Sequence, residues 1–107
     1  MELSKLNCKP VKKGTAPLTN TEVQKIKKEL HPDWKITEAR KIVRDFSFGN
    51  YQKNVAFVNK VAALAESEGH HPDILLSYGK VCIELSTHDV DGLSENDFIL
   101  SAKIDKL

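Results

Sequence analysis

The spacing of hydrophobic residues predicts one helix and two strands in the first half of the chain. From residue 19 or 20 to about 31 the apolar positions lie three and four residues apart, which indicates a helix that Pro32 ends. Apolar and polar residues then alternate between positions 34 and 48, apart from Arg44, which is typical of strands. The segment 37–40 suits a tight reversal between two short strands.

The longest helical pattern runs from Tyr51 to about Ser67, between a capping Asn50 and Gly69, which can stop a helix. Its predicted core-facing stripe consists of residues three and four positions apart: Tyr51, Val55, Val58, Ala62 and Ala65. Val61 and Leu64 widen this stripe. We therefore expect this helix to pack on the core through that stripe.

Two further strands and a last helix complete the pattern. Residues 74–78 and 80–86 predict strands joined at Gly79, and apolar residues at 81, 83 and 85 share one face of the second strand. The run 94–97, Ser-Glu-Asn-Asp, resembles a capping box that opens a helix. The order α-β-β-α-β-β-α predicts an α+β fold, a four-stranded antiparallel sheet with helices packed on one face.

The domain organisation predicted from these patterns is simple. Residues 1–18 show no periodicity and hold Pro10, Gly14 and Pro17, so we interpret them as an irregular leader. Residues 19–107 are long enough for a single domain with one core.

Composition narrows the class of protein. The 107 residues are 40% hydrophobic and 29% charged with a net charge of +1, which favours a folded protein and gives no global attraction to nucleic acid or an anionic membrane. No apolar run approaches the roughly 20 residues needed to cross a bilayer, and no secretory signal follows Met1. Cys8 and Cys82 match no metal or redox spacing, so we expect an exposed free thiol at Cys8, a buried Cys82 and a cytoplasmic location.

Three histidines stand at the ends of predicted elements. His70 and His71 follow the long helix, and His88 follows the last strand. Because a hairpin brings the start of one strand beside the end of the next, the three side chains are expected to converge at one end of the sheet. Imidazole exchanges protons near neutral pH, so the group is a candidate acid–base site. His31, at a helix end, is expected to be an ordinary surface residue.

A zinc site is the competing interpretation, since three histidines are enough for a catalytic zinc ion. Adjacent residues such as His70 and His71 point in different directions in most backbone conformations, which argues against it. The chain also has no Gly-x-Ser-x-Gly nucleophile motif and no glycine-rich phosphate loop. The sequence therefore favours metal-free acid–base chemistry.

A long spaced motif resembles the signature of the pterin-4a-carbinolamine dehydratases, with a leader similar to that of bacterial members. The matching residues are Glu66, Gly69-His70-His71-Pro72-Asp73, Tyr78, Ser86-Thr87-His88 and Gly92 to Asp97. The resemblance implies dehydration of 4a-hydroxytetrahydrobiopterin to quinonoid dihydropterin and water, in recycling of the pterin cofactor of an aromatic amino acid hydroxylase. It also implies no cofactor, no metal and a homo-oligomer, a dimer or tetramer.

The resemblance also implies the site residues. His70, His71 and His88 occupy the positions of the catalytic histidines. Pterin-lining stretches correspond to Gly69, His70, His71, Ser86, Thr87, His88 and Asp89. Glu66 and Asp97 occupy acidic positions of the motif, although Asp97 also suits a helix cap and Glu66 a solvated last turn. Ile74 departs from the tryptophan of many animal members, so any contact made by that aromatic is not expected here.

The expected mechanism begins with an imidazolium, of His70 or His88, that protonates the departing hydroxyl, while His71 mainly holds the pterin. The alternative is a non-enzymatic role on the same fold, as a dimerisation partner or assembly factor. An edge strand of the sheet is expected to pair across a subunit boundary, because an unpaired edge is a liability.

Overall fold

A four-stranded antiparallel sheet lies at the centre of the computed structural model, which describes residues 2–38 and 40–107. The strand order is β1-β2-β4-β3, so β1 and β3 are the edges. The elements in chain order are a single 3₁₀ turn Leu3–Lys5, α1 Asn20–Lys27, β1 Lys35–Thr37, β2 Lys41–Phe46, α2 Tyr51–Glu68, β3 Asp73–Leu76, β4 Val81–Leu85, a 3₁₀ turn His88–Val90 and α3 Glu95–Ile104. The predicted α+β fold and its element order are confirmed.

One face of the sheet forms the floor of the core. Val81, Ile83 and Leu85 of β4 are fully buried, as their alternation predicts. The register places Ile42 opposite Leu85 and Ile74 opposite Ile83, so neighbouring strands contribute apolar side chains to the same face. Other fully buried side chains come from the helices and the segments around them: Val23, Trp34, Val61, Leu93, Phe98 and Leu100.

Arg44 breaks the apolar alternation of β2 because it has partners on the core side. One guanidinium nitrogen, Nη1, donates to Asp105 Oδ1 at 2.8 Å, and the guanidinium carbon lies 4.5 Å from the centroid of the Phe46 ring. Trp34 Nε1 donates to the same carboxylate at 2.9 Å. The arginine therefore ties the sheet to the end of α3.

The buried face of α2 is rotated from the predicted one. Ala62 and Tyr51 are exposed, while the buried positions are Asn54, Phe57, Val61 and Ala65. The Phe57 ring lies 4.6 Å from that of Phe48, and the Asn54 amide accepts from the Phe48 backbone N–H at 3.1 Å. The predicted stripe was wrong at Tyr51 and Ala62, and the buried face includes Asn54, a polar residue that apolar periodicity does not indicate.

Several element ends differ from the prediction. Helix α1 ends at Lys27 rather than near residue 31, because Glu29 and Leu30 form tighter turns through bonds to Ile26 and Lys27. At the reversal after β1, Glu38 adopts a positive φ of 55°. Ala39 of that predicted reversal, like Met1, lies outside the described residues.

Residues of the leader pack on the domain rather than leaving it. Leu3 is buried in the core. Cys8 is half-buried, not exposed as predicted, and its Sγ lies 3.6 Å from the carbonyl oxygen of Asn96. Burial and the nearby Glu68 carboxylate raise the pKa of the Cys8 thiol to about 12. Cys82 is only half-buried, on the face of the sheet away from Val81 and Ile83, because β-strand neighbours alternate sides.

Candidate active site

The pairing of β3 with β4 assembles the candidate site at one end of the sheet. Asp73, which begins β3, lies opposite Glu84, one residue before the end of β4. The segment before β3 and the segment after β4 therefore meet at the same end, as the hairpin argument predicts. These segments carry His70 and His88.

The end of α2 fixes the position of His70. Gly69 has the left-handed conformation φ 68°, ψ 24°, and its N–H reaches the carbonyl oxygens of Ala65 and Glu66. The His70 N–H donates to the Ala65 carbonyl at 3.2 Å, which completes a Schellman motif. A β-carbon added at position 69 would meet no atom within 4 Å, so the positive φ is what favours glycine there.

Asp97 is a fully buried carboxylate in the first turn of α3, and it is shared by three partners. Its Oδ2 accepts from the Thr87 hydroxyl at 2.8 Å and from the Ser94 backbone N–H at 3.0 Å. Its Oδ1 lies 2.5 Å from Nε2 of His70, whose side chain is only 11% exposed. The carboxylate joins the end of α2, the end of β4 and the start of α3.

The chemistry of these groups sets the direction of each hydrogen bond. A carboxylate only accepts hydrogen bonds, so the Thr87 hydroxyl donates its proton to Asp97. The Ser94 hydroxyl, 2.7 Å from Thr87 Oγ1, must then donate to it. By the same argument His70 carries a proton on Nε2. Its Nδ1, which has no hydrogen-bond partner within residues 2–38 and 40–107, is left to exchange protons.

Glu66 and His71 form a second, exposed pair. His71 Nε2 lies 2.8 Å from Glu66 Oε1, and both side chains are mostly exposed. The pair arises because the chain reverses at Gly69 and lays His71 back on the last turn of α2. Such an exposed contact adds at most about 1 kcal/mol, so it orients His71 more than it stabilises the fold.

His88 begins a short loop closed by backbone bonds between Thr87 and Gly92. The Thr87 N–H donates to the Gly92 carbonyl at 2.7 Å. The His88 side chain is exposed, and in the described part of the chain it makes no hydrogen bond or ion pair. It lines an open cavity of about 350 Å³ together with Ser86, Thr87 and an ion pair, Arg40 with Asp91 at 2.5 Å.

The predicted site residues thus fall into three groups. His70, Thr87 and Asp97 are joined directly, Glu66 and His71 are joined to each other, and Ser86 and His88 line the adjacent cavity. Gly69 holds the helix end, and Asp89 is an exposed loop residue. The predicted capping box indicated the contact of Ser94 with Asp97, but not the bond between the Ser94 and Thr87 hydroxyls. The sequence also did not indicate the Arg40–Asp91 pair, because partners so far apart in the chain leave no periodic signal.

Among residues 2–38 and 40–107, no group of three or more histidine, cysteine or acidic side chains is arranged to hold a metal ion. In the same part of the chain no helix combines the length and apolar character needed to cross a bilayer. The fold and the buried histidine–aspartate pair define a small α+β protein with a site suited to acid–base chemistry.

Comparisons with known proteins identify the family. Residues 16–107 match the family model described as Pterin 4 alpha carbinolamine dehydratase. A candidate pterin-4-alpha-carbinolamine dehydratase of Alkaliphilus metalliredigens is 45% identical over 97% of this chain and 94% of its own length. Another, of Rickettsia bellii, is 43% identical over 98% of this chain and 93% of its own. The chain belongs to the pterin-4a-carbinolamine dehydratase family, whose members are hydro-lyases.

Two solved structures share the fold. A protein of Brucella melitensis described as a transcriptional coactivator/pterin dehydratase has a TM-score of 0.77 at 28% identity, over 84% of this chain and 96% of that one. A pterin dehydratase-like protein described as a RuBisCO assembly factor in the alpha-carboxysome has a TM-score of 0.60 at 28% identity, over 71% of this chain and 89% of that one.

Proposed function

We propose that this chain dehydrates 4a-hydroxytetrahydrobiopterin to quinonoid dihydropterin and water by histidine general acid–base catalysis. The observation that carries the proposal is the buried Asp97, which holds Nε2 of His70 beside the loop of His88. This arrangement lies within the region that matches the dehydratase family. The reaction needs no cofactor, because it only removes water from a carbinolamine.

The proposed chemistry moves two protons. The bond between carbon 4a and its hydroxyl oxygen breaks, and an imidazolium of His70 or His88 protonates the oxygen so that it leaves as water. The proton on nitrogen 5 passes to a neutral imidazole or to water as the carbon–nitrogen double bond forms. His70 can exchange protons only through Nδ1 while Asp97 holds Nε2. His71, fixed by Glu66, holds the pterin.

The surrounding residues define the proposed pterin pocket. Gly69, His70 and His71 supply one wall, and the stretch Ser86 to Asp89 supplies the other. The open cavity beside His88 supports the second wall, because Ser86, Thr87 and His88 line it. Its remaining lining comes from Glu38, Arg40, Lys41, Asp91 and Gly92 and not from the first wall. We further propose a cytoplasmic homo-oligomer, a dimer or tetramer, that serves an aromatic amino acid hydroxylase.

The direct test follows dehydration itself. A hydroxylase generates the 4a-hydroxypterin in situ, and absorbance reports the quinonoid dihydropterin. Replacing His70 or His88 by alanine should lower the catalysed rate by about 10²- to 10⁴-fold, the usual range for a general acid or base. The single variants separate the two histidines, and the double variant should approach the spontaneous rate.

His31→Ala is the matched control. His31 is an exposed histidine in the segment that follows α1, and it is not one of the proposed site residues. It should retain the full rate. A wild-type protein that does not exceed the spontaneous rate would refute the proposal.

A second candidate is an assembly or dimerisation role. It is favoured by the two structural relatives, which are described as a transcriptional coactivator/pterin dehydratase and as a RuBisCO assembly factor. Large exposed apolar side chains on and after β3 support it, since Leu75 is 63% and Tyr78 84% exposed. This role predicts a cellular phenotype that survives the His70 and His88 replacements. Loss of the phenotype with those replacements would favour the enzyme.

A further inference from the structure

Asn96, the residue before Asp97, binds the leader with both ends of its side chain. Its Oδ1 accepts from the Lys9 backbone N–H at 2.9 Å, and its Nδ2 donates to the Lys9 carbonyl at 2.6 Å. Asn96 is only 7% exposed, so the paired amide is largely removed from water. The start of α3 is therefore attached to one defined residue of the leader.

Glu68, two residues before His70, binds the neighbouring residue of the leader. Its Oε1 accepts from the Cys8 backbone N–H at 2.8 Å, and its Oε2 lies 2.9 Å from Lys103 Nζ. These two donors hold the pKa of the Glu68 carboxyl below its ordinary value. The end of α2 is thus attached to Cys8 and also to α3 through Lys103.

Consecutive leader residues therefore bridge the two helix ends that carry His70 and Asp97. Neighbouring α-carbons are a fixed distance of about 3.8 Å apart, so Cys8 and Lys9 set a narrow spacing between Glu68 and Asn96. The spacing of the His70–Asp97 hydrogen bond depends on the same two helix ends.

The rest of the leader contacts the third segment of the site. The Gly14 N–H donates to the carbonyl of Asp89 at 3.0 Å, and the Leu18 N–H donates to that of Leu93 at 2.9 Å. A β-carbon added at Gly92 would come within 2.9 Å of Pro17, so the leader lies closely against the His88 loop. The match to the family model begins at residue 16, so the contacts of Cys8, Lys9 and Gly14 lie outside it and those of Pro17 and Leu18 lie within it.

We propose that Asn96 and Glu68 are positioning residues, which act through Cys8 and Lys9 to hold the His70–Asp97 hydrogen bond in its productive geometry. The inference rests on the proposed dehydratase function for its kinetic test, but not for its spectroscopic test. Neither side chain needs to touch the pterin. Small displacements of catalytic groups can cost up to about 10²-fold in rate, so loosening the leader should be visible in kcat.

The principal variant is Asn96→Ala, which removes both bonds to Lys9. We expect kcat to fall about 10- to 100-fold with little change in KM. Glu68→Ala should also lower kcat. Glu68→Gln keeps an oxygen that accepts from the Cys8 N–H, so it should retain most of the wild-type kcat. Leu3→Ala is the control, because it removes a buried leader side chain from a cavity lined by Leu30 and Ala102, to which His70 and Asp97 do not contribute.

Proton NMR of the His70 ring gives a readout that does not require turnover. The proton between Nε2 and Asp97 should be detected in the wild type and in Leu3→Ala, but broadened or lost in Asn96→Ala. An Asn96→Ala protein that keeps kcat and this resonance overturns the inference. Equal losses in Asn96→Ala and Leu3→Ala also overturn it, since they would reflect stability alone. If the wild type fails to catalyse dehydration, the proposed function falls, and the resonance alone decides the positioning role.

Discussion

At the scale of single residues, Asp97 combines two roles that the sequence left as alternatives. Its Oδ2 accepts the Ser94 backbone N–H, as a helix-capping residue does, while its Oδ1 faces His70. A carboxylate has enough acceptor sites for both. The cap and the histidine contact therefore support each other, because the helix start fixes the carboxylate that orients the imidazole.

Thr87 offers a sharp test of this network. Thr87→Val keeps a branched side chain but removes the hydroxyl that donates to Asp97 and accepts from Ser94. We expect the free energy of unfolding, measured in urea, to fall by about 1.5–3 kcal/mol, the usual value of a hydrogen bond to a charged group. The dehydration rate should fall as well, because Asp97 then loses one of the groups that hold it.

Thr87→Ser is the matched control, since it keeps the hydroxyl, and it should retain most of the stability and rate. A valine variant as stable and as active as the wild type would show that the hydroxyl has no part in holding Asp97.

At the scale of elements, the sequence predicts the kinds of element and their caps well. Asn50 and Gly69 bound α2 as expected, because their side chain and conformational preferences act locally. The direction of the buried face of α2 was not predictable from apolar periodicity, because Asn54 lies in the core through bonds to the backbone of Phe48 and Tyr78. Such partners belong to other elements and leave no local signal.

The leader gives a pH-dependent prediction at the same scale. Burial and the Glu68 carboxylate raise the pKa of Cys8 from 9.0 to about 12 in the folded protein. Above pH 9.0 the unfolded chain releases this proton while the folded protein keeps it, so the unfolded state gains stability relative to the folded one. The contribution of Cys8 is thus fully present below pH 9.0 and is lost as the pH rises toward about 12.

Urea unfolding at about pH 8 and about pH 10.5 measures this effect. The wild type should lose more stability between the two pH values than Cys8→Ala, which has no thiol to ionise. Cys82→Ala should also reduce the loss of stability between the two pH values, because burial and Asp45 raise the pKa of the Cys82 thiol too. Equal pH dependence in the wild type and Cys8→Ala would contradict the expected coupling of Cys8 to folding.

At the scale of the whole molecule, the sequence predicts the topology but not the contacts that assemble the site. The hairpin rule places the His70 and His88 segments at one end of the sheet, as found. The bonds from Cys8 and Lys9 to the ends of two helices were not predictable, because an irregular segment has no period that shows where it packs. The motif identifies which residues take part, and only the fold shows which of them touch.

The edge strand β3 leads to a prediction about the assembly. Among the residues that the structure describes, β3 pairs with β4 alone, and its Leu75 is 63% exposed. An unpaired edge beside exposed apolar side chains favours pairing with a second copy, because such an edge offers free backbone donors and acceptors. We expect sedimentation at micromolar concentration to show a dimer or tetramer.

Leu75→Lys should shift the assembly toward monomer, since a lysine at an edge opposes strand pairing. Thr37→Lys places the same charge on the opposite edge strand, β1, and should leave the assembly intact. A wild-type protein that sediments only as a monomer would refute the assembly, and equal dissociation by both lysines would show that β3 is not its specific edge.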